Sequence, residues 1–137
     1  MHTSAFAPVP QARRAAGAYT TVDAQSRSPL ELVVMLYDGA IRFASQARDA
    51  HARGDRRARA VGVSRAMAIV SELQNTLDVK RGGELAVELD RLYHYLTTRL
   101  LDVTRTNDGA PLDEILLLLG TLRDGWLQAS TAAPARS

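Results

Sequence analysis

The sequence contains no cysteine, which excludes a disulfide framework, a thiol nucleophile and a cysteine-based zinc site, and fits a reducing cytoplasm. It has no apolar run long enough to span a membrane. The stretch from Met1 to Ala18 lacks the continuous apolar region of a secretory signal. Charge of one sign is also scarce: 17 Lys and Arg against 15 Asp and Glu leave a formal net charge of +2. That excess is too small to call for nucleic acid or an anionic surface, although the pI is about 9.4. No segment alternates apolar and polar residues in the manner of a strand, so the fold class is all-α. With 137 residues there is material for one hydrophobic core and not two.

What is present begins at Ser28-Pro29-Leu30-Glu31. Ser28 and Glu31 have capping-box spacing, and Pro29 suits the first helical position. The helix that follows carries Leu30, Leu32, Val33, Val34, Met35, Leu36 and Tyr37 around most of its circumference. At about 100° per residue such a helix needs cover on two sides; taken alone it reads as a well-capped core helix, with a partner supplying the second cover as the alternative.

Punctuation divides the rest. Residues 1–27 combine Pro8, Pro10 and Gly17 with small and polar side chains and read as a flexible leader. Residues 28–129 read as four helices. The first runs from Pro29 to about Arg53, where Gly54 stops it. The second, capped by Asp55, runs to about Val79 with the stripe Val63, Met67, Val70, Leu73, Leu77. Gly82-Gly83 turn into a third, whose stripe Leu85, Leu89, Leu92, Leu96, Leu100, Val103 is the clearest amphipathic face. Asn107-Asp108-Gly109 break it, and a fourth follows through Ile115-Leu116-Leu117-Leu118-Leu119 and Trp126. Residues 130–137 read as a disordered tail. Short connections imply an antiparallel up-down-up-down four-helix bundle. Gly39, Gly62, Gly120 and Gly125 fall inside predicted helices, each at a cost of up to about 1 kcal/mol against Ala, and close approach of another backbone is the expected compensation.

Enzyme readings find little support. Neither His51 nor His94 has the Glu three residues earlier that di-iron bundles use. Asp113 and Glu114 suit a helix N-terminus better than acid–base work; Asp90 and His94 have the spacing of a surface pair. Arg53, Arg56, Arg57 and Arg59 straddle a helix junction without interleaved aromatics and read as a solvated turn. No cofactor and no metal is implied. One alternative function keeps a catalytic group: a histidine phosphotransfer bundle with His94 as acceptor. Such modules follow the histidine with Lys and a small Gly, where this chain has Thr97 and Thr98.

Read in order, the motifs become specific. Tyr19, the Ser-Pro-x-Glu-Leu start, Met35-Leu36-Tyr37-Asp38-Gly39, Gly82-Gly83-Glu84-Leu85, Leu92-Tyr93-x-Tyr95-Leu96, Arg99-Leu100-Leu101, Asn107-Asp108 and Arg123-Asp124-x-Trp126 together resemble the FliS family of flagellar export chaperones, from about Tyr19 to Gln128. The resemblance implies a cytoplasmic helical bundle that binds the disordered C-terminal segment of flagellin. It further implies that this binding blocks premature polymerisation and that the chaperone delivers flagellin to the flagellar export gate. Neither nucleic acid nor membrane insertion is expected, and monomer and homodimer both stay open.

On that reading Met35, Leu36, Phe43, Met67, Ile69, Leu73 and Leu101 are the expected apolar contacts with flagellin, with bundle core as the alternative for each. The methionine thioethers suit a docked helix. Tyr37, Tyr93 and Trp126 are expected to position helices while their polar atoms find partners. Asp38 is expected to pair with Arg42, and Asp124 with a neighbouring Arg. Tyr19 and Val22 are expected to cover the empty groove or to help dock on the export gate. Val103 and Thr104 stand where many relatives have Ala-Asn, so no contact of that Asn is carried over.

Overall fold

The computed structural model describes residues 29–132. They form four helices and, among these residues, no strand: α1 (Pro29–Ala52), α2 (Arg56–Asn75), α3 (Val79–Thr106) and α4 (Ala110–Ala132). Each packs against the next in the chain, and α4 returns to pack on α1. Connections of a few residues make neighbours antiparallel, which gives the up-down-up-down bundle read from the sequence. The capping residue Ser28 and the leader residues Tyr19 and Val22 lie outside the described residues.

Local chemistry explains the boundaries. Gly54 ends α1 with φ of 74°, and the N–H groups of Gly54 and Asp55 donate back to the carbonyls of His51 and Ala50 at 3.0 and 2.9 Å. The Asp55 carboxylate then accepts from the Ala58 N–H and caps α2. That helix is shorter than the sequence suggested. Thr76 closes it by donating its hydroxyl to the Glu72 and Leu73 carbonyls, and Asp78 caps α3 through the Arg81 N–H. The predicted Gly82-Gly83 turn is present as a break inside α3. Gly83 has φ of 57° and ψ of −134°, a conformation essentially reserved for glycine. At the other end of the chain α4 passes the expected stop near Ser130 and reaches Ala132.

Packing decides how the all-round apolar helix is covered. α1 lies against α2 on one side and α4 on the other, so Leu30, Val33, Val34 and Tyr37 are buried within the bundle itself. From that run only Met35 is left half in solvent, at 50% exposure. In the leucine run of α4, Ile115 and Leu119 are core and Leu116 and Leu118 pack partly against it. Leu117 is the outlier at 73% exposure.

The helical glycines divide in the same way. A Cβ on Gly62 would sit 2.8 Å from the Phe43 carbonyl oxygen and 3.0 Å from Ala47 Cβ and N, so this glycine is what lets the α1 and α2 backbones approach. Gly39 faces the Ile69 side chain across the same seam, with Cδ1 3.0 Å from where a Cβ would be. Gly120 has nothing within 4 Å, so close approach inside the bundle does not account for it.

Candidate functional site

The three aromatic residues expected to position helices meet in the interior. Tyr37 of α1 and Tyr93 of α3 sit diagonally across the bundle, joined hydroxyl to hydroxyl at 2.5 Å with ring centroids 6.4 Å apart. Both rings and that of Trp126 are fully buried. Burial pushes the Tyr37 phenol well above its ordinary range, while hydrogen bonding to Tyr93 and then Trp126 pulls the other way. Tyr37 therefore stays protonated and serves as a polar pin through an otherwise apolar centre.

The apolar candidates fall into two seams that flank α2, with one exception. Phe43 faces α2, its ring flanked by the guanidinium carbons of Arg42 at 5.0 Å and Arg65 at 5.6 Å. Leu36 lies seven residues before it and so on the same side of α1. Ile69 meets that seam at Gly39, and Met35, four residues before Gly39, is half exposed on the outward side of α1. The other seam lies between α2 and α3. Gln74 donates to Asp90 across it at 2.8 Å; Met67 lies seven residues before Gln74, and Leu101 eleven after Asp90, so both share the facing sides. Met67 is half-buried and Leu101 is 47% exposed. Leu73 does not belong with them: it has no accessible surface and is core. Six residues, about 120° of helix, separate Leu73 from Met67, so Leu73 falls with Val63, Ala66 and Val70 on the core face and Met67 beside it.

Polar ties cross the other two seams. Arg123 of α4 donates to Asp38 of α1 at 2.7 Å, rather than the predicted Arg42 doing so, and also reaches Asp124 at 3.4 Å. Asp38 looks across to α4 instead of along α1, which same-helix spacing cannot show. Arg48 and Asp113 form a second α1–α4 pair at 3.6 Å. Between α3 and α4, Glu114 accepts from Tyr95 and from Arg99 at 2.8 Å, and Arg99 continues to Asp102 at 3.0 Å. Asp102 also pairs with Arg105. The Tyr95 and Arg99 hydrogen bonds hold the Glu114 carboxyl below its usual range, and Arg105 and then Arg99 do the same for Asp102. Asp90 is engaged by Gln74 rather than by His94, which stands on the exposed side of α3.

One cluster escaped the sequence reading. Arg59, taken with its neighbours as part of a solvated turn, is only 5% exposed. Its Nη1 donates to His51 Nδ1 at 3.0 Å and to Asn107 Oδ1 at 2.6 Å. Arg53, Arg56 and Arg57 are exposed as expected. The one signal in the sequence was phase: Arg59 lies seven residues before Ala66 and so falls on the core side of α2.

Residues 12–133 match the family model described as flagellar protein FliS. The chain belongs to the FliS family. Flagellar secretion chaperone FliSB of Pseudomonas aeruginosa is 37% identical over 99 residues, which cover 72% of this chain and 79% of the relative. Flagellar secretion chaperone FliS of Salmonella typhimurium is 37% identical over 109 residues, 79% of this chain and 81% of that one. Its Campylobacter jejuni namesake is 35% identical over 109 residues, 80% and 85% of the two chains. These relatives are named flagellar secretion chaperones, and membership of the family gives the His94 phosphotransfer alternative no support. No helix among the described residues of this FliS-family chain is long and apolar enough to cross a membrane.

Proposed function

We propose that this FliS-family chain is a cytoplasmic export chaperone that binds the disordered C-terminal segment of flagellin, prevents its premature polymerisation and delivers it to the flagellar export gate. The observation that carries the proposal is the pair of apolar seams on either side of α2. Met35, Leu36, Phe43 and Ile69 line one; Met67 and Leu101 line the other. Between them the outward face of α2 presents the short exposed side chains Ser64, Ala68 and Ser71, with Val61, Arg65 and Glu72 exposed beside them. An unfolded segment that lays amphipathic helices into such seams buries on the order of 1,000–3,000 Å² and loses several kcal/mol to ordering. Occupying the part of flagellin that self-associates is enough to block assembly by competition. Tyr19 and Val22, outside the described residues, are assigned to covering the empty seams or to docking on the export gate.

A polymerisation assay tests this. Light scattering of purified flagellin from the same organism is expected to stay flat when one equivalent of the chain is present. Leu101→Asp, an exposed position, restores polymerisation, whereas His94→Ala suppresses it as well as the parent. Polymerisation unaffected by the parent chain, or suppression that depends on His94, contradicts the proposal.

A further inference from the structure

The two ends of the bundle are held by different chemistry. At one end the α1–α2 and α3–α4 connections lie together, and Arg59 bridges them through its bonds to His51 and Asn107. No ion pair among the described residues includes it, and its Nε has no partner. Burying a cation against neutral acceptors alone is unfavourable, so the arrangement calls for a compensating role. A guanidinium only donates and stays charged. His51 Nδ1 must therefore accept, which places the imidazole proton on Nε2.

The surroundings are built to fit. Asn107 ends α3 in the left-handed region, φ 55°, and there its Oδ1 reaches Arg59. Gly109 lies so close to the imidazole that a Cβ would fall 2.4 Å from His51 Cδ2. One side chain of α2 thus ties the last turn of α1 to the α3–α4 connection. The opposite end, by contrast, contains the break at Gly83.

We propose that Arg59, His51 and Asn107 form a latch that clamps the α1–α2 hairpin to the α3–α4 hairpin at this end, where no connection joins α2 to α3, and so holds shut the end of the α2–α3 seam that lies away from residues 76–78. The latch belongs to the fold and does not depend on what the seam binds.

Amide hydrogen exchange on the full chain tests the latch. Arg59→Met keeps the stem and removes the donors; Asn107→Gly keeps the left-handed backbone and removes the acceptor. Both are expected to speed exchange at residues 50–56 and 103–112 by about tenfold or more, with residues around Tyr37 and Trp126 unchanged. His51→Asn, whose Oδ1 replaces Nδ1, retains protection. Imidazole nitrogen shifts of the parent chain show the Nε2–H tautomer. Should Arg59→Met fail to fold, Asn107→Gly and the tautomer decide. An Nδ1–H tautomer, unchanged exchange in Asn107→Gly, or acceleration spread evenly over the chain overturns the proposal.

Discussion

Replacing glycine by alanine at two positions of the bundle should have opposite effects. Both Gly62 and Gly120 are inside helices, where Ala is favoured over Gly by about 1 kcal/mol. At Gly120 a new Cβ meets nothing within 4 Å. Gly120→Ala therefore stabilises by about 0.5–1 kcal/mol. At Gly62 the Cβ would stand 2.8 Å from the Phe43 carbonyl oxygen and 3.0 Å from the Ala47 nitrogen. Those are backbone atoms of α1 that cannot swing aside, so the helices must separate. Overpacking of this kind costs about 1–3 kcal/mol; set against a propensity gain of about 1 kcal/mol, it leaves Gly62→Ala destabilised by up to about 2 kcal/mol. For a domain of this size each kcal/mol moves Tm by about 3–5 °C, so the two variants separate by roughly 5–10 °C. Thermal and urea melts followed by helical circular dichroism measure this. If Gly62→Ala is stabilised as much as Gly120→Ala, the close approach of α1 and α2 is wrong.

Two further perturbations probe the interior and the surface. Tyr37→Phe removes one partner of a buried hydroxyl pair and should cost about 1–2 kcal/mol in urea unfolding; adding Tyr93→Phe should cost less than the two single losses combined, because the second change removes the stranded hydroxyl. Additive losses would mean that the two hydroxyls do not pair. On the surface, the folded-state depression of the Glu114 and Asp102 carboxyls means that their contribution to stability is present above the unfolded carboxylate range and fades as pH falls below about 4. The stability gap between the parent and Glu114→Gln should accordingly be wider at pH 6 than at pH 3. A gap independent of pH contradicts the Tyr95–Glu114–Arg99 network.

Much of the fold was written in local signals. Gly54 with Asp55, and Asn107 with Asp108, are helix stops and starts whose backbone chemistry acts within a few residues, so they read true. The stop at Thr76 did not. A threonine hydroxyl folding back on its own helix competes with continuation, and the following Leu77 and Val79 kept the apolar stripe alive past the real end. Surfaces were harder to read than helices. The circumference of α1 left a partner open as the second cover because a single-helix view cannot know that α2 and α4 would occupy both flanks. Asp38 illustrates the same limit: its partner is 85 positions away on α4, while the residue four along was the visible choice. Leu73 and Met67 were read on one stripe, yet they lie about 120° apart round α2, which makes one core and lets the other border solvent. Arg59 was misread since charge outweighed phase in the sequence reading; in the bundle, phase won and the charge was accommodated by His51 and Asn107.

The central claim is that the seams beside α2 take up an unfolded flagellin segment, and isothermal calorimetry with the last forty or so residues of a flagellin from the same organism tests it most directly. Tight 1:1 binding with a negative heat-capacity change is expected, accompanied by a gain of helicity and weakened by Leu101→Asp. Absence of binding to any flagellin of that organism, or binding indifferent to Leu101→Asp and to substitutions at Met35 and Met67, would contradict it.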